Sequence, residues 1–239
     1  MAISIDTVHQ RVQALANKEQ RGYITPQEFN LFANQAQMDI FEQYFYDINQ
    51  LRRIPGNDSE YSDMLDMLEE KISHFEKFKV ATSAMSGNQA TLPTDTYRLG
   101  TVFYGAAGYD VEVEKVGKKE LEYMLRQKLT SPVDKRPVYV RKSNTLLKLF
   151  PSSPSVSYTT SNITCNYIAK PSTAVWGYAV INEQALYNAT TSTNFELHDS
   201  EETTLVMKIL ELAGITIKQP DLVQLAAQED LQKTQLEKQ

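Results

Sequence analysis

The sequence predicts an α+β protein: a helical bundle built from N- and C-terminal helices, with an antiparallel β domain inserted between them. Three observations carry this reading. Residues 24–53 run without a helix breaker and with helical apolar spacing. Beyond residue 91 the apolar period becomes alternating, punctuated by turn residues. Helical spacing then returns at Asp199. The corresponding segments are 1–80 (N-terminal helices), 81–198 (β domain with one short helix) and 199–239 (returning helices).

The first helix spans residues 5–20, with Val8, Val12, Leu15 and Ala16 on one side and a stop at Gly22. The central helix starts at Thr25 and Pro26. Glu28 stands three residues after Thr25, a capping box in which each side chain satisfies a free backbone donor at the other position. Phe29, Phe32, Ala33, Ala36, Ile40 and Tyr44 form one apolar stripe, and Leu31, Met38, Phe41, Phe45 and Ile48 a second. Two stripes imply cover on two sides, either from the chain's own core or from another subunit. Phe41, Phe45 and Ile48 are therefore candidate interface residues.

Pro55 and Gly56 break that helix, and Tyr61, Leu65, Leu68 and Ile72 mark a third one ending near His74. Residues 81–90, polar and mixed, read as a connecting loop. Residues 97–104 and 109–116 form a hairpin around Gly105–Gly108, and 118–127 a short helix with Leu121 and Leu125 inward. Residues 137–141 and 145–150 form a second hairpin, and 163–169 a strand with Ile163, Cys165, Tyr167 and Ala169 on one face. Residues 175–180 read as an edge strand and 185–195 as irregular. Asp199 and Glu202 make another capping box before a helix that stops at Gly214. A final polar helix follows Pro220, with Leu222 and Leu225 as its stripe, and it is expected to order on a partner.

Composition narrows the function classes. With 239 residues, 41% hydrophobic and 23% charged, the chain can bury a substantial core. No apolar run reaches membrane-spanning length, and the first residues lack the pattern of a signal peptide, so no membrane partner is expected. The net charge of −6 disfavours a grip on phosphate backbones, although Lys115 to Lys142 carry a local positive bias, read first as ordinary solubilising charge and second as a contact for an acidic partner or a nucleic-acid backbone. Cys165 is alone, which excludes an internal disulfide, and its alternation places it in a sheet core.

His9, His74 and His198 are too scattered for a metal site, and no nucleophile or phosphate-loop motif is present. The acidic cluster from His198 to Glu202 is explained by helix capping. The expectation is a non-enzymatic protein with no catalytic residue, no metal and no cofactor. Thirteen tyrosines suit a surface that becomes an interface.

The stretch DTVHQRVQALANKEQRGYITPQEFNLFANQAQMDIFEQYFYD resembles the start of a family of tailed-bacteriophage virion structural proteins found in marine and environmental phages. RPVYVR, CNYIAKP and FELHDSEETTLVMKILELAGI resemble its middle and C-terminal signatures. The predicted layout is similar to that of head-to-tail adaptors, ring proteins that join the portal to the tail. The resemblance implies a connector with portal protein, tail or nozzle proteins and itself as partners, in a cyclic ring of about twelve copies. DNA would be passing cargo. The protein would be assembled in the host cytoplasm and reside in the virion neck. Leu222 and Leu225, with Phe41, Phe45 and Ile48, would then face subunits or partners. Two alternatives belong to the same particle: another tail-associated ring, or a host-surface glycan-binding module displaying aromatics near Tyr158, Trp176 and Tyr178.

Overall fold

A computed structural model of the chain describes residues 3–18, 24–51, 59–106, 109–152 and 158–216. The chain divides into two compact units, one made of Met1–His74 with Pro171–Gln239 and the other of Phe75–Lys170. Among the described residues it holds five α-helices and ten β-strands.

The first unit is built on α1 (Ile5–Lys18), α2 (Pro26–Leu51), α3 (Ser59–Ser73) and α5 (Glu202–Thr216). The capping box forms as the sequence requires. Thr25 N–H donates to Glu28 Oε2 at 3.0 Å, and Glu28 N–H donates to Thr25 Oγ1 at 3.3 Å. The Thr25 hydroxyl also donates to Glu28 Oε2 at 2.7 Å, and that bond, with the one from the Thr25 N–H, favours the charged carboxylate and lowers the Glu28 pKa. Phe29, Ala33, Ala36, Ile40 and Tyr44 are buried, as are Val8 and Val12 of α1 and Leu205, Ile209 and Ala213 of α5. Each large side chain so buried contributes roughly 1.5–3 kcal/mol. Helix α5 begins through a 3₁₀ turn, Asp199–Glu201, capped by His198, whose Nδ1 accepts from Ser200 N–H. It continues past Gly214 to Thr216, so that glycine does not stop it.

The second unit is an eight-stranded sheet of β1 (Glu76–Ala81), β2 (Ala84–Ser86), β3 (Gln89–Thr91), β4 (Thr96–Ala106), β5 (Tyr109–Lys115), β6 (Val138–Arg141), β7 (Leu146–Phe150) and β8 (Ile163–Ala169). Their order is β1-β8-β4-β5-β6-β7-β3-β2. Alternation is cleanest in β8, where Ile163, Cys165, Tyr167 and Ala169 are buried and the residues between them are not. They share a core with Val102, Val113, Tyr139, Leu147 and Leu149. Strand β6 is buried on both faces. Val138 and Val140 meet Leu121 of α4 (Lys118–Arg126), while Tyr139 faces the main core. Strand β4 bulges between Leu99 and Val102, and a Cβ added at Gly100 would lie 3.0 Å from the Asn166 carbonyl oxygen.

Two expectations are corrected. The fold is not a helical bundle with an inserted antiparallel domain but a β-rich mixed fold. The sheet has eight strands, and it is not purely antiparallel, because β5 and β6 run parallel. Parallel neighbours need a long crossover, which α4 and its flanking turns supply. Residues 81–90 are not a loop either. They hold β2 and β3, joined across Gly87 in the left-handed region at φ 58°. Strand β2 is a three-residue edge strand, which needs no apolar alternation, and β3 beside it is as short with Ala90 its one buried residue, so their polar composition concealed them. The expected segment boundaries also shift. Strand β1 pairs with β8 and belongs to the sheet unit, whereas 171–198 belongs with the helices.

Candidate interaction surfaces

The region after Pro171 is held against α2 by side-chain amides. Asn34 Nδ2 donates to the Ala174 carbonyl at 2.8 Å, and Ala174 N–H donates back to Asn34 Oδ1 at 2.9 Å. Asn30 makes the same two-way pair with Trp176, receiving its N–H at 2.8 Å and donating to its carbonyl at 3.3 Å. Gln37 donates to the Ser172 carbonyl at 2.8 Å and accepts from Glu196 N–H at 3.3 Å. The spacing explains why one helix can do this. Four helical residues rise about 6 Å, and two extended residues advance about 6.6 Å. Asn30, Asn34 and Gln37 therefore meet residues 176, 174 and 172 in turn, standing in for the backbone of a missing neighbour strand.

That anchoring positions Trp176, which is 4% exposed. Its indole N–H donates to Asp6 Oδ1 at 3.1 Å, and its ring stacks on His9 at 4.0 Å. His9 in turn meets the Phe29 ring edge-on at 4.8 Å. The His9 Nε2 atom is buried with no hydrogen-bond partner among the described residues, and burial lowers the histidine pKa against the opposing charge of Asp6.

Beyond Trp176 stands a hairpin of β9 (Tyr178–Ile181) and β10 (Gln184–Tyr187), joined by Asn182 and Glu183 at φ 52° and 66°. Two consecutive positive φ angles make the type I′ turn that two-residue hairpins favour. Tyr178 and Tyr187 face each other across the ladder and lie against Trp176. Val180, Ile181 and Leu186 are left 66%, 54% and 48% exposed. Among the described residues the ribbon has two strands only, and no ladder partner there pairs with either outer edge. Sequence reasoning missed it, although Asn-Glu between YAVI and QALY was the available signal.

The sheet unit has its own exposed apolar segment. On α4 and the turns after it, Tyr123, Leu125, Leu129 and Val133 are all exposed, Leu129 almost completely. They alternate with Lys118, Lys119, Arg126, Lys128, Lys135 and Arg136, against three acids in the same stretch. Leu125, expected to face inward, does not. Charge is in fact divided between the units. Phe75–Lys170 carries 14 Lys and Arg against eight Asp and Glu, net +6, while the rest of the chain carries 10 against 22, net −12.

The expected interface residues fall differently. Phe41 is fully buried in its own unit, edge-on to Phe45 at 5.1 Å, and so offers no surface. Phe45 and Ile48 are half-buried, and Leu31 of the same stripe is exposed. Leu222 and Leu225 lie outside the described residues. Tyr158 and Trp176 are buried, which removes them from any exposed aromatic platform for a sugar. Cys165 is fully buried, and burial pushes its thiol up to about 11, the setting of an inert thiol.

Of the acidic cluster, Glu201 pairs with Lys71 at 2.6 Å and Glu202 with Arg11 at 3.0 Å. Among the described residues no group of His, Cys, Asp and Glu gathers as metal ligands would. A cleft of about 220 Å³ on the sheet is lined by Thr101, Glu112, Lys115, Tyr139 and Arg141 among others. The Arg141 guanidinium there donates to the Ser143 and Asn144 carbonyls and ties the β6–β7 turn. Among the described residues no helix is long and apolar enough to cross a membrane.

Comparison with known proteins returns no match: no protein-family model and no curated protein matches the chain.

Proposed function

We propose that the chain is a non-enzymatic virion structural protein of a tailed bacteriophage, a head-to-tail connector whose copies form a ring between the portal and the tail proteins. The observation that carries this reading is the β9–β10 ribbon. It is an ordered hairpin anchored by a buried tryptophan, and it leaves Val180, Ile181 and Leu186 in solvent. An isolated two-stranded ribbon is marginal in water, and an exposed apolar one invites association, so its preservation suits a protein that works only in an assembly. The resemblance of the N-terminal and C-terminal motifs to phage virion proteins supplies the setting, and the absence of a recognisable nucleophile motif from the sequence agrees with it. In this reading DNA is cargo passing through the ring, and the protein is assembled in the host cytoplasm and resides at the virion neck.

The test is the copy number of the chain in purified virions, by quantitative mass spectrometry against the major capsid protein. About a dozen copies per particle is the expected result for a closed cyclic ring. Hundreds of copies, or none, would overturn the connector assignment.

A further inference from the structure

Resting on that connector reading, we propose that the β9–β10 hairpin of one copy docks on the α4 segment, Lys118 to Arg136, of a second copy of this chain. Two observations converge. The hairpin offers Ile181 and Leu186 on one face, opposite the face of Val180, with Glu183 at its tip, and it belongs to the unit with net charge −12. The α4 segment offers Tyr123, Leu125, Leu129 and Val133 among six Lys and Arg, and it belongs to the unit with net charge +6. Apolar surface thus meets apolar surface, and Glu183 at the hairpin tip meets the lysines and arginines of the α4 segment.

The exposed leucines and tyrosine among those cations also argue for a protein occupant over a nucleic-acid backbone. Phosphate contacts use the charges alone and gain nothing from Leu129 standing 93% exposed. The two surfaces differ, so the contact is heterologous. Each copy gives a hairpin to one neighbour and receives one from the other, the arrangement that closes into rings.

Such a contact can be tested by complementation. Ile181→Asp disables the hairpin and leaves the α4 segment intact, while Leu129→Asp does the converse. Both positions are exposed, so neither change disturbs a core. Sedimentation velocity in low salt should show the unaltered chain associating, more weakly as sodium chloride is added, because the charges are screened. Each variant alone should be a monomer, with association weakened at least about thirtyfold, as for loss of a central contact residue.

An equimolar mixture of the two variants retains one intact junction, from the Leu129→Asp hairpin to the Ile181→Asp α4 segment. It should give a two-chain species and nothing longer. The proposal is overturned if the unaltered chain stays monomeric at the highest attainable concentration, or if either variant alone associates as the unaltered chain does. A mixture that remains monomeric also overturns it, as does duplex DNA binding to the unaltered chain that Leu129→Asp abolishes. A failure here beside a dozen copies per virion would place the ring contact elsewhere. Successful complementation by a protein missing from the virion would instead end the connector reading and keep the contact.

Discussion

Replacing Asn34 by Ala tests whether the amide ladder holds the extended segment on α2. The substitution removes the donor to the Ala174 carbonyl and the acceptor of the Ala174 N–H, at 2.8 and 2.9 Å. Ala174 is fully buried, so its N–H and carbonyl lose these partners in a place that water does not reach. Each orphaned group costs about 1–3 kcal/mol, which sums to roughly 2–6 kcal/mol. The better helix propensity of alanine returns no more than about 0.7 kcal/mol. Trp176 is the sole tryptophan and lies two residues beyond Ala174, so its fluorescence during urea unfolding reports on this unit directly. The expected result is a lower urea midpoint with an unchanged slope. Gln35→Ala provides the comparison on the same helix. It removes only an exposed pair with Asp39, worth a few tenths of a kcal/mol. Asn34→Ala costing no more than Gln35→Ala would refute the ladder as the anchor.

Two further outcomes follow from the same unit. Burial lowers the His9 pKa below its ordinary value of 6.5, so the unfolded chain binds the proton more readily than the folded one. Stability measured by Trp176 fluorescence should therefore be full above pH 6.5, decline as pH falls below it, and level off once the folded histidine is itself protonated. Asp6 is the charged group beside it, and His9→Gln should flatten the decline. Separately, a Cβ at Gly177 would clash with Thr191 Oγ1 and lie 2.7 Å from the Thr191 carbonyl carbon. Gly177→Ala should thus lower stability by about 1–3 kcal/mol, and an unchanged thermal midpoint would contradict the close approach.

The sequence disclosed the elements whose burial has a period. The stripe from Phe29 to Tyr44, the capping box at Thr25 and the alternation of β8 are all present as read. What it concealed has physical reasons. Strands β2 and β10 sit at sheet edges, where one bonded neighbour suffices and apolar alternation is not required. The parallel β5–β6 pair depends on α4 acting as a crossover, a property of connection length that side-chain patterning does not carry. Asn30, Asn34 and Gln37 stand outside both apolar stripes, so periodicity assigns them no partner. Amides at four- and three-residue steps can satisfy an extended backbone, and only the partner segment discloses that they do. Phe41 was misplaced for a related reason, since its apolar character says nothing about which surface covers it.

The amide ladder also bears on the order of events during synthesis. Asn30, Asn34 and Gln37 precede their partners by 146, 140 and 135 residues. At about 5–20 residues per second, α2 waits roughly 7–30 seconds on the ribosome before the segment that completes it is made. The sheet unit is contiguous, and its last strand is available once Ala169 has emerged, so it can fold within that interval. Through the same interval the buried face of α2 has no α5 to cover it, and a nascent chain stalled before Pro171 would expose Phe29 and Ile40 to whatever binds apolar helices in the cell.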